Sequence, residues 1–321
     1  MQPPYLELFG FRERPFSLTP DENFFFPSSS HSKCLEYLRF FVQHEEPIAL
    51  VYGDVGMGKT ITCRKFVRSL DASKYNTALI LNPIFDRHEL LKEILRELNL
   101  SNRGGFRELY TNLENFLLET HSKGKCTIII VDEAQLLSDE TLDFIRILSN
   151  FETDKGKLVH IVLFAQEEFL DRIKREDMKY LAQRITVTFR LCPLPKEEIL
   201  PYINHRIYKA GLTGTFRCDQ KVASAVYEYS KGNPRLINLL CDRAFLLLYL
   251  HSKYTLTVDE IREAAAEESL AHLLARPKKS RNVVRWPYLA TLLLALLLYV
   301  LTRFDFLGSA LSFFLSSRKA F

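Results

Sequence analysis

Residues 48–60 read Ile48-Ala49-Leu50-Val51-Tyr52-Gly53-Asp54-Val55-Gly56-Met57-Gly58-Lys59-Thr60. Five apolar positions run into a segment that fits GxxxxGK[ST] at every fixed position. The apolar run predicts a buried strand. The following ITCRKFVRSL has helical spacing, with Ile61, Phe66 and Leu70 apolar. Strand, glycine-rich loop and helix in that order are what phosphate binding requires. Glycines let the backbone curl with its N–H groups inward, and the helix N-terminus faces an anion. A lysine reaches the β- and γ-phosphates, and a hydroxyl meets Mg²⁺. Gly53, Asp54, Val55, Gly56, Met57, Gly58, Lys59 and Thr60 are therefore the expected ATP-binding residues, with Thr60 also a Mg²⁺ ligand.

A second apolar run, Cys126–Val131, ends in Asp132-Glu133. A strand delivering two acids at its C-terminal edge puts them where a parallel sheet binds ligands. Asp132 is expected to hold Mg²⁺ through water, and Glu133 to act as the base that polarises an attacking water. Taken alone, the same pair also reads as a solvated acidic turn. Further strands are expected at Thr77–Leu81, Leu158–Phe164 and Ile185–Leu191, alternating with helices at Arg87–Leu98 and Ser138–Leu148. That alternation predicts an α/β fold, a parallel five-stranded sheet between helices. After Pro193 the strands stop, and four helices are expected at Lys196–Ala210, Gln220–Tyr229, Arg235–Tyr249 and Thr257–Leu274.

The 321 residues are 47% hydrophobic and 26% charged, which excludes a disordered or low-complexity chain. Six cysteines show no CxxC or metal-ligand spacing; they read as small buried hydrophobes in a reducing compartment rather than a disulfide framework. The net charge of +4 is uneven. Eight basic residues and one acid after Ala275 give that tail +7, which leaves the preceding body at −3. A slightly acidic body is a poor footprint for nucleic acid.

Residues 286–302, WPYLATLLLALLLYVLT, hold seventeen positions without a charge. As a helix they span about 25 Å, close to a hydrocarbon core once Arg285 and Arg303 snorkel outward. Five basic residues in ARPKKSRNVVR precede them, so the positive-inside rule keeps the body in the cytoplasm. The opening residues lack the apolar core of a signal peptide. The expected organisation is an aromatic, Pro-punctuated segment (1–46) packed on the ATPase core, a nucleotide-binding domain (47–192) and a helical lid (193–274). A basic linker (275–285), a single transmembrane helix (286–302) and a short extracytoplasmic tail (303–321) follow.

FGFRERPFSLTPDENFFF, GDVGMGKT, VDEAQLLSDETLDFIRILSNFETDK, VLFAQEEF, LAQRITVTFRL and GNPRLINLLCDRA occur in order and together resemble the ExeA/GspA/MshM group of bacterial AAA+ ATPases. The resemblance runs from about Tyr5 to Glu268. It implies a P-loop AAA+ module with a lid, ATP hydrolysis, and partnership with type II secretion or type IV pilus proteins at the inner membrane. It also implies roles that spacing leaves mute. Gln166 matches the polar sensor of the γ-phosphate, Arg184 an arginine finger offered to a neighbouring subunit, and Arg235 the second sensor, on a helix begun by Pro234. A finger in trans implies a ring or dimer. ExeA-like members continue past the membrane helix into a peptidoglycan-binding region, whereas nineteen residues follow Thr302 in this sequence, so direct cell-wall binding is not expected. Two other classes stay open: a nucleotide-gated scaffold with little turnover, and a DNA-linked ATPase of the transposition or replication-initiator type.

Overall fold

The computed structural model describes residues 3–154, 156–212 and 218–275. The basic linker beyond Ala275, the apolar run 286–302 and the tail 303–321 lie outside the described residues. Among the described residues no helix is long and apolar enough to cross a membrane.

Thirteen helices are described: α1 (Tyr5–Phe9), α2 (Ser29–Gln43), α3 (Lys59–Ser69), α4 (Arg87–Glu97), α5 (Phe106–Ser122), α6 (Asp139–Leu148), α7 (Glu168–Ile173), α8 (Lys179–Arg184), α9 (Lys196–Lys209), α10 (Gln220–Ser230), α11 (Pro234–Leu250), α12 (Val258–Ala266) and α13 (Glu268–Ala271). The strands are β1 (Ile48–Tyr52), β2 (Tyr75–Ile80), β3 (Cys126–Val131), the two-residue pair β4 (Glu152–Thr153) and β5 (Gly156–Lys157), β6 (Val159–Ala165) and β7 (Ile185–Arg190). Five of them form one sheet in the order β2-β3-β6-β1-β7, with every neighbour parallel.

The central strands are continuous apolar runs because both faces are covered. Ile48, Leu50, Ile129, Val131, Ile161 and Leu163 face the core built on α4 to α8. Ala49, Val51, Ile128, Ile130, Val162 and Phe164 face the one built on α2 and α3. Each buried branched or aromatic side chain contributes roughly 1.5–3 kcal/mol to this sandwich. At the edge, β7 alternates half-buried and exposed positions, with Val187 and Phe189 on its half-buried face packed against the α2–α3 core.

Helix ends follow local chemistry. The Ser138 side chain caps α6, accepting from Thr141 N at 3.1 Å. Thr257 and Glu260 form a capping box at the start of α12. The single helix expected over Thr257–Leu274 is two, because Glu267 takes an extended backbone (φ −56°, ψ 132°) between α12 and α13.

Of the segment expected to pack on the nucleotide domain, α2 and Phe25 do so, Phe25 against the α2–α3 core and beneath Lys65 Nζ, but most of the aromatic residues before Phe25 pack elsewhere. Tyr5, Phe9, Phe11, Phe16 and Phe24 join the core of α9 to α13. Their physical reason is a latch on that side. The Tyr5 hydroxyl donates to Asp242, which also accepts from Arg14 at 2.9 Å. Buried Arg206 donates to the carbonyls of Pro15 and Ser17 at 2.6 and 2.9 Å and lies over the Phe24 ring. The cysteines are free thiols; Cys34, Cys63 and Cys241 are buried, but Cys192, in the connection after β7, is exposed.

Candidate nucleotide site

Strand register brings the site together. Val131 stands opposite Leu163, and Leu163 opposite Leu50. One residue further along, Asp132, Phe164 and Val51 are level; beyond them Glu133, Gly53 and Gln166 leave the same sheet edge. Gly53 N donates to Ala165 O at 3.3 Å, closing the start of the loop onto β6.

The loop 53–58 curls because two glycines adopt left-handed backbone, Gly56 (φ +86°) and Gly58 (φ +85°). A Cβ on Gly56 would stand 2.6 Å from Arg235 Cβ, and one on Gly58 2.7 Å from His31 Nε2. Both conformation and space therefore demand glycine. Lys59, at the first turn of α3, is 5% exposed, and its Nζ donates to Gly53 O at 2.8 Å and Asp54 O at 3.0 Å. Burial pulls this ammonium below its ordinary value, opposed by the charges of Glu133 and Asp132. Met57 is a core residue of the α2–α3 side, whereas Asp54 and Val55 are exposed at the loop tip.

Asp132 is 2% exposed. Burial lifts its carboxyl above the usual range, and a hydrogen bond from the Thr60 hydroxyl works the other way. Hydroxyl and carboxylate are hard oxygen donors of the kind Mg²⁺ takes alongside phosphate oxygens. Among the described residues no group of three or more His, Cys, Asp or Glu forms a metal cage. The donor set thus fits an ion shared with a phosphate rather than one held by protein alone.

Glu133 adopts φ +54°, unusual for a side chain of this size. Gln166 Nε2 donates to its Oε2 at 3.2 Å. A cleft of about 220 Å³ is lined by Gly56, Gly58, Lys59, Thr60, Glu133, Gln166 and Arg235 on its polar side. Leu18, Phe25, Phe26 and Tyr202 line its apolar side. Arg184, in contrast, is not part of this lining. It ends α8 at the start of β7, where its charge acts on Glu152.

Three further residues around the cleft do not figure in the sequence reading. His31, buried, bonds Met57 O through Nε2 at 3.0 Å and Ser28 Oγ through Nδ1 at 2.5 Å. A carbonyl can only accept, so Nε2 carries the proton and Nδ1 accepts from the serine. Asn233 caps α11 and reaches the loop, its Nδ2 donating to Val55 O at 2.9 Å. Gln135 bridges Glu133 and Gln166. Only Asn233 has a local signal, since an Asn before Pro at a helix start is a cap candidate.

The described AAA domain family matches residues 42–173, from the last turn of α2 to the end of α7. General secretion pathway protein A of Aeromonas hydrophila is 33% identical over 267 residues, 83% of this chain and 48% of that protein. The chain belongs to the ExeA/GspA-like AAA+ ATPase family. It spans about half the length of that curated relative. Solved structures share the AAA+ fold at low identity. The ORC2 protein of Aeropyrum pernix, in ADPNP–ADP complexes, aligns with a TM-score of 0.60 at 16% identity over 79% of this chain and 71% of that one. Cdc6p of Pyrobaculum aerophilum aligns at 0.60 and 18% over 78% and 69%. The Walker-type ATPase PABY2304 of Pyrococcus abyssi aligns at 0.54 and 19% over 81% and 78%. The AAA+ module is a nucleotide-binding fold.

Proposed function

We propose that this AAA+ protein hydrolyses ATP to ADP and phosphate and uses the cycle to drive or regulate assembly of a bacterial envelope complex. The observation that carries the chemical reading is the convergence of Lys59, Thr60, Glu133, Gln166 and Arg235 on one cleft at the sheet edge. Lys59 and the backbone N–H groups of the loop neutralise the β- and γ-phosphates. Thr60 and, through water, Asp132 would hold Mg²⁺, which would supply positive charge at the leaving phosphate oxygens. Glu133 takes a proton from the attacking water. The water oxygen bonds to the γ-phosphorus while the bond to the β–γ bridging oxygen breaks, and that oxygen leaves on ADP. Gln166 contacts the γ-phosphate, and Arg235 links it to the helical lid, α9 to α13. The apolar wall of Phe25, Phe26 and Tyr202 receives the base.

Arg184 acts on a neighbouring subunit in this reading, in a ring or dimer; its position outside its own cleft supports that. Anchorage at the inner membrane, with the ATPase body cytoplasmic, is supported by the apolar run 286–302 and its basic flank. A secretion or pilus assembly partner is supported by the kinship with General secretion pathway protein A. The test is steady-state ATP turnover by the full chain, wild type against Lys59→Ala and Glu133→Gln. Both variants lose turnover if the reading holds, and Glu133→Gln retains ATP binding. Wild-type turnover in Glu133→Gln would remove that residue from the mechanism.

A further inference from the structure

The Glu133 carboxylate is gripped from one side. Gln135 Nε2 donates to Oε2 at 2.5 Å, and Gln166 Nε2 donates to the same oxygen at 3.2 Å. Oε1 accepts no hydrogen bond among the described residues. The Gln135 amide cannot turn over without loss, because its Oε1 accepts the backbone N–H of Gln166 at 3.2 Å. With the oxygen end fixed there, the NH₂ end must face Glu133. The backbone beneath it is also clamped. Arg172 Nη1 donates to Gln135 O at 3.2 Å, and Arg172 Nε is held by Asp139 at 2.7 Å. Leu136 N donates to Glu133 O at 2.9 Å, closing the short turn over Ala134–Leu136. A continuous hydrogen-bonded path thus runs from the first turn of α6, through α7, to the carboxylate after β3.

We infer that Gln135 is a positioning residue for hydrolysis. By holding Oε2, it presents Oε1 to the attacking water, and through Gln166 N it keeps the carboxylate in register with the end of β6. The inference rests on the reading of Glu133 as the base. Without Gln135 the side chain would have only Gln166 to orient it, and a displacement of about 1 Å in a reacting group can lower a rate by roughly a hundredfold. Arg172 acts one step further out, on the Gln135 backbone.

A plain turn-stabilising role for Gln135 makes a different forecast: lower thermal stability and weaker nucleotide binding, with no selective fall in kcat. The experiment measures kcat, KM, fluorescent-ATP affinity and melting temperature for the full chain in detergent. The variants are Gln135→Ala, Gln135→Glu and Gln135→Asn, with Glu133→Gln beside them. Positioning by Gln135 lowers kcat about ten- to a hundredfold in Gln135→Ala and leaves KM and ATP affinity within about twofold. Gln135→Glu keeps the shape but replaces the donor with an acceptor, so it loses at least as much. Gln135→Asn, with the same amide on a shorter arm, retains more turnover than Gln135→Ala. The proposal falls if Gln135→Glu turns over like wild type while Glu133→Gln is inactive, or if kcat and affinity fall together with the melting temperature. Should Gln135→Ala not fold, the isosteric Gln135→Glu still decides. Normal turnover in Glu133→Gln identifies a different failure, that of the base reading beneath it.

Discussion

Asn233 ties the helical subdomain to the phosphate loop: its Nδ2 donates to Val55 O at 2.9 Å while its Oδ1 accepts from Arg235 N at 2.9 Å and caps α11. One side chain thus does two jobs, which two substitutions separate. Asn233→Ala removes both and is expected to lower stability by about 1 kcal/mol and to weaken ATP binding several-fold. Asn233→Asp keeps the capping acceptor and loses the donor to Val55. Its melting temperature should stay near wild type while ATP affinity falls, as read by thermal denaturation and fluorescent-nucleotide titration.

The glycines of the loop are constrained by space as well as by backbone angle. In Gly56→Ala the new Cβ meets Arg235 Cβ at 2.6 Å, and in Gly58→Ala it meets His31 Nε2 at 2.7 Å, both at left-handed φ. Neither neighbour is the free end of a flexible side chain. Both variants should lose ATP binding by at least tenfold, and Gly56→Ala should also displace the first turn of α11. Limited proteolysis of the connection before α11, compared with wild type, checks the second effect.

Arg184 ends α8 outside the cleft that holds Glu133. If it serves a neighbour, Arg184→Ala alone and Glu133→Gln alone should each lose turnover while both still bind ATP. A mixture of the two should recover part of it, since a Glu133→Gln subunit can lend its Arg184 to an Arg184→Ala subunit whose Glu133 is intact. Turnover of the mixture measured against subunit ratio reads this directly. A mixture no more active than its components speaks against a finger in trans.

Two buried histidines contribute to the loss of stability in acid. Burial lowers the affinity of His31 for a proton, opposed by its bond to Met57 O; burial likewise lowers that of His160, which bonds Glu46 O at 2.7 Å. Both refuse, in the folded state, a proton that the unfolded chain accepts near the ordinary value of 6.5. Stability is therefore full above that pH and declines as pH falls below it. Melting temperature against pH should drop on the acid side of about 6.5. In His31→Gln, whose amide can still donate to Met57 O, the drop should be shallower, with His160 and His205, both also held below the ordinary value by burial, supplying the remainder.

The N-terminal arm is held by Arg206, buried, with hydrogen bonds to Pro15 O and Ser17 O. Arg206→Ala leaves two carbonyls and the Phe24 face without their partner. It should destabilise the protein by about 2–3 kcal/mol and expose the arm to protease before the rest of the chain, as seen by mass mapping of early cleavage products.

The phosphate loop and the two acids after β3 were legible because their signals are local. Glycine at a left-handed turn, a lysine at a helix start and an apolar strand ending in charge all act within a few residues. The starts of α6 and α12 are equally local, Ser138 accepting from Thr141 N and Glu260 accepting from Thr257 N, each within three residues. Helix α5 was not anticipated, although Leu109, Leu113 and Leu117 recur at the i, i+4 spacing. The aromatic arm divides, Tyr5 to Phe24 going to the helical core and Phe25 to the α2–α3 core, because apolar side chains declare that they will be buried but not against what.

What the sequence by itself determined was therefore the alternation of strands and helices, the chemistry offered at the sheet edge, and the apolar run that follows the folded body. Tertiary structure alone decided that Gln135 faces Glu133, that His31 supports the loop at Met57, that Asn233 reaches Val55 and that Arg184 stands outside its own cleft. Each of those contacts depends on the register of β1, β3 and β6 and on which helices the sheet buries. Hydrophobic burial is non-directional and sets that arrangement through the whole core, whereas a hydrogen bond is short and directional and exists only once the arrangement has placed its two ends within about 3 Å.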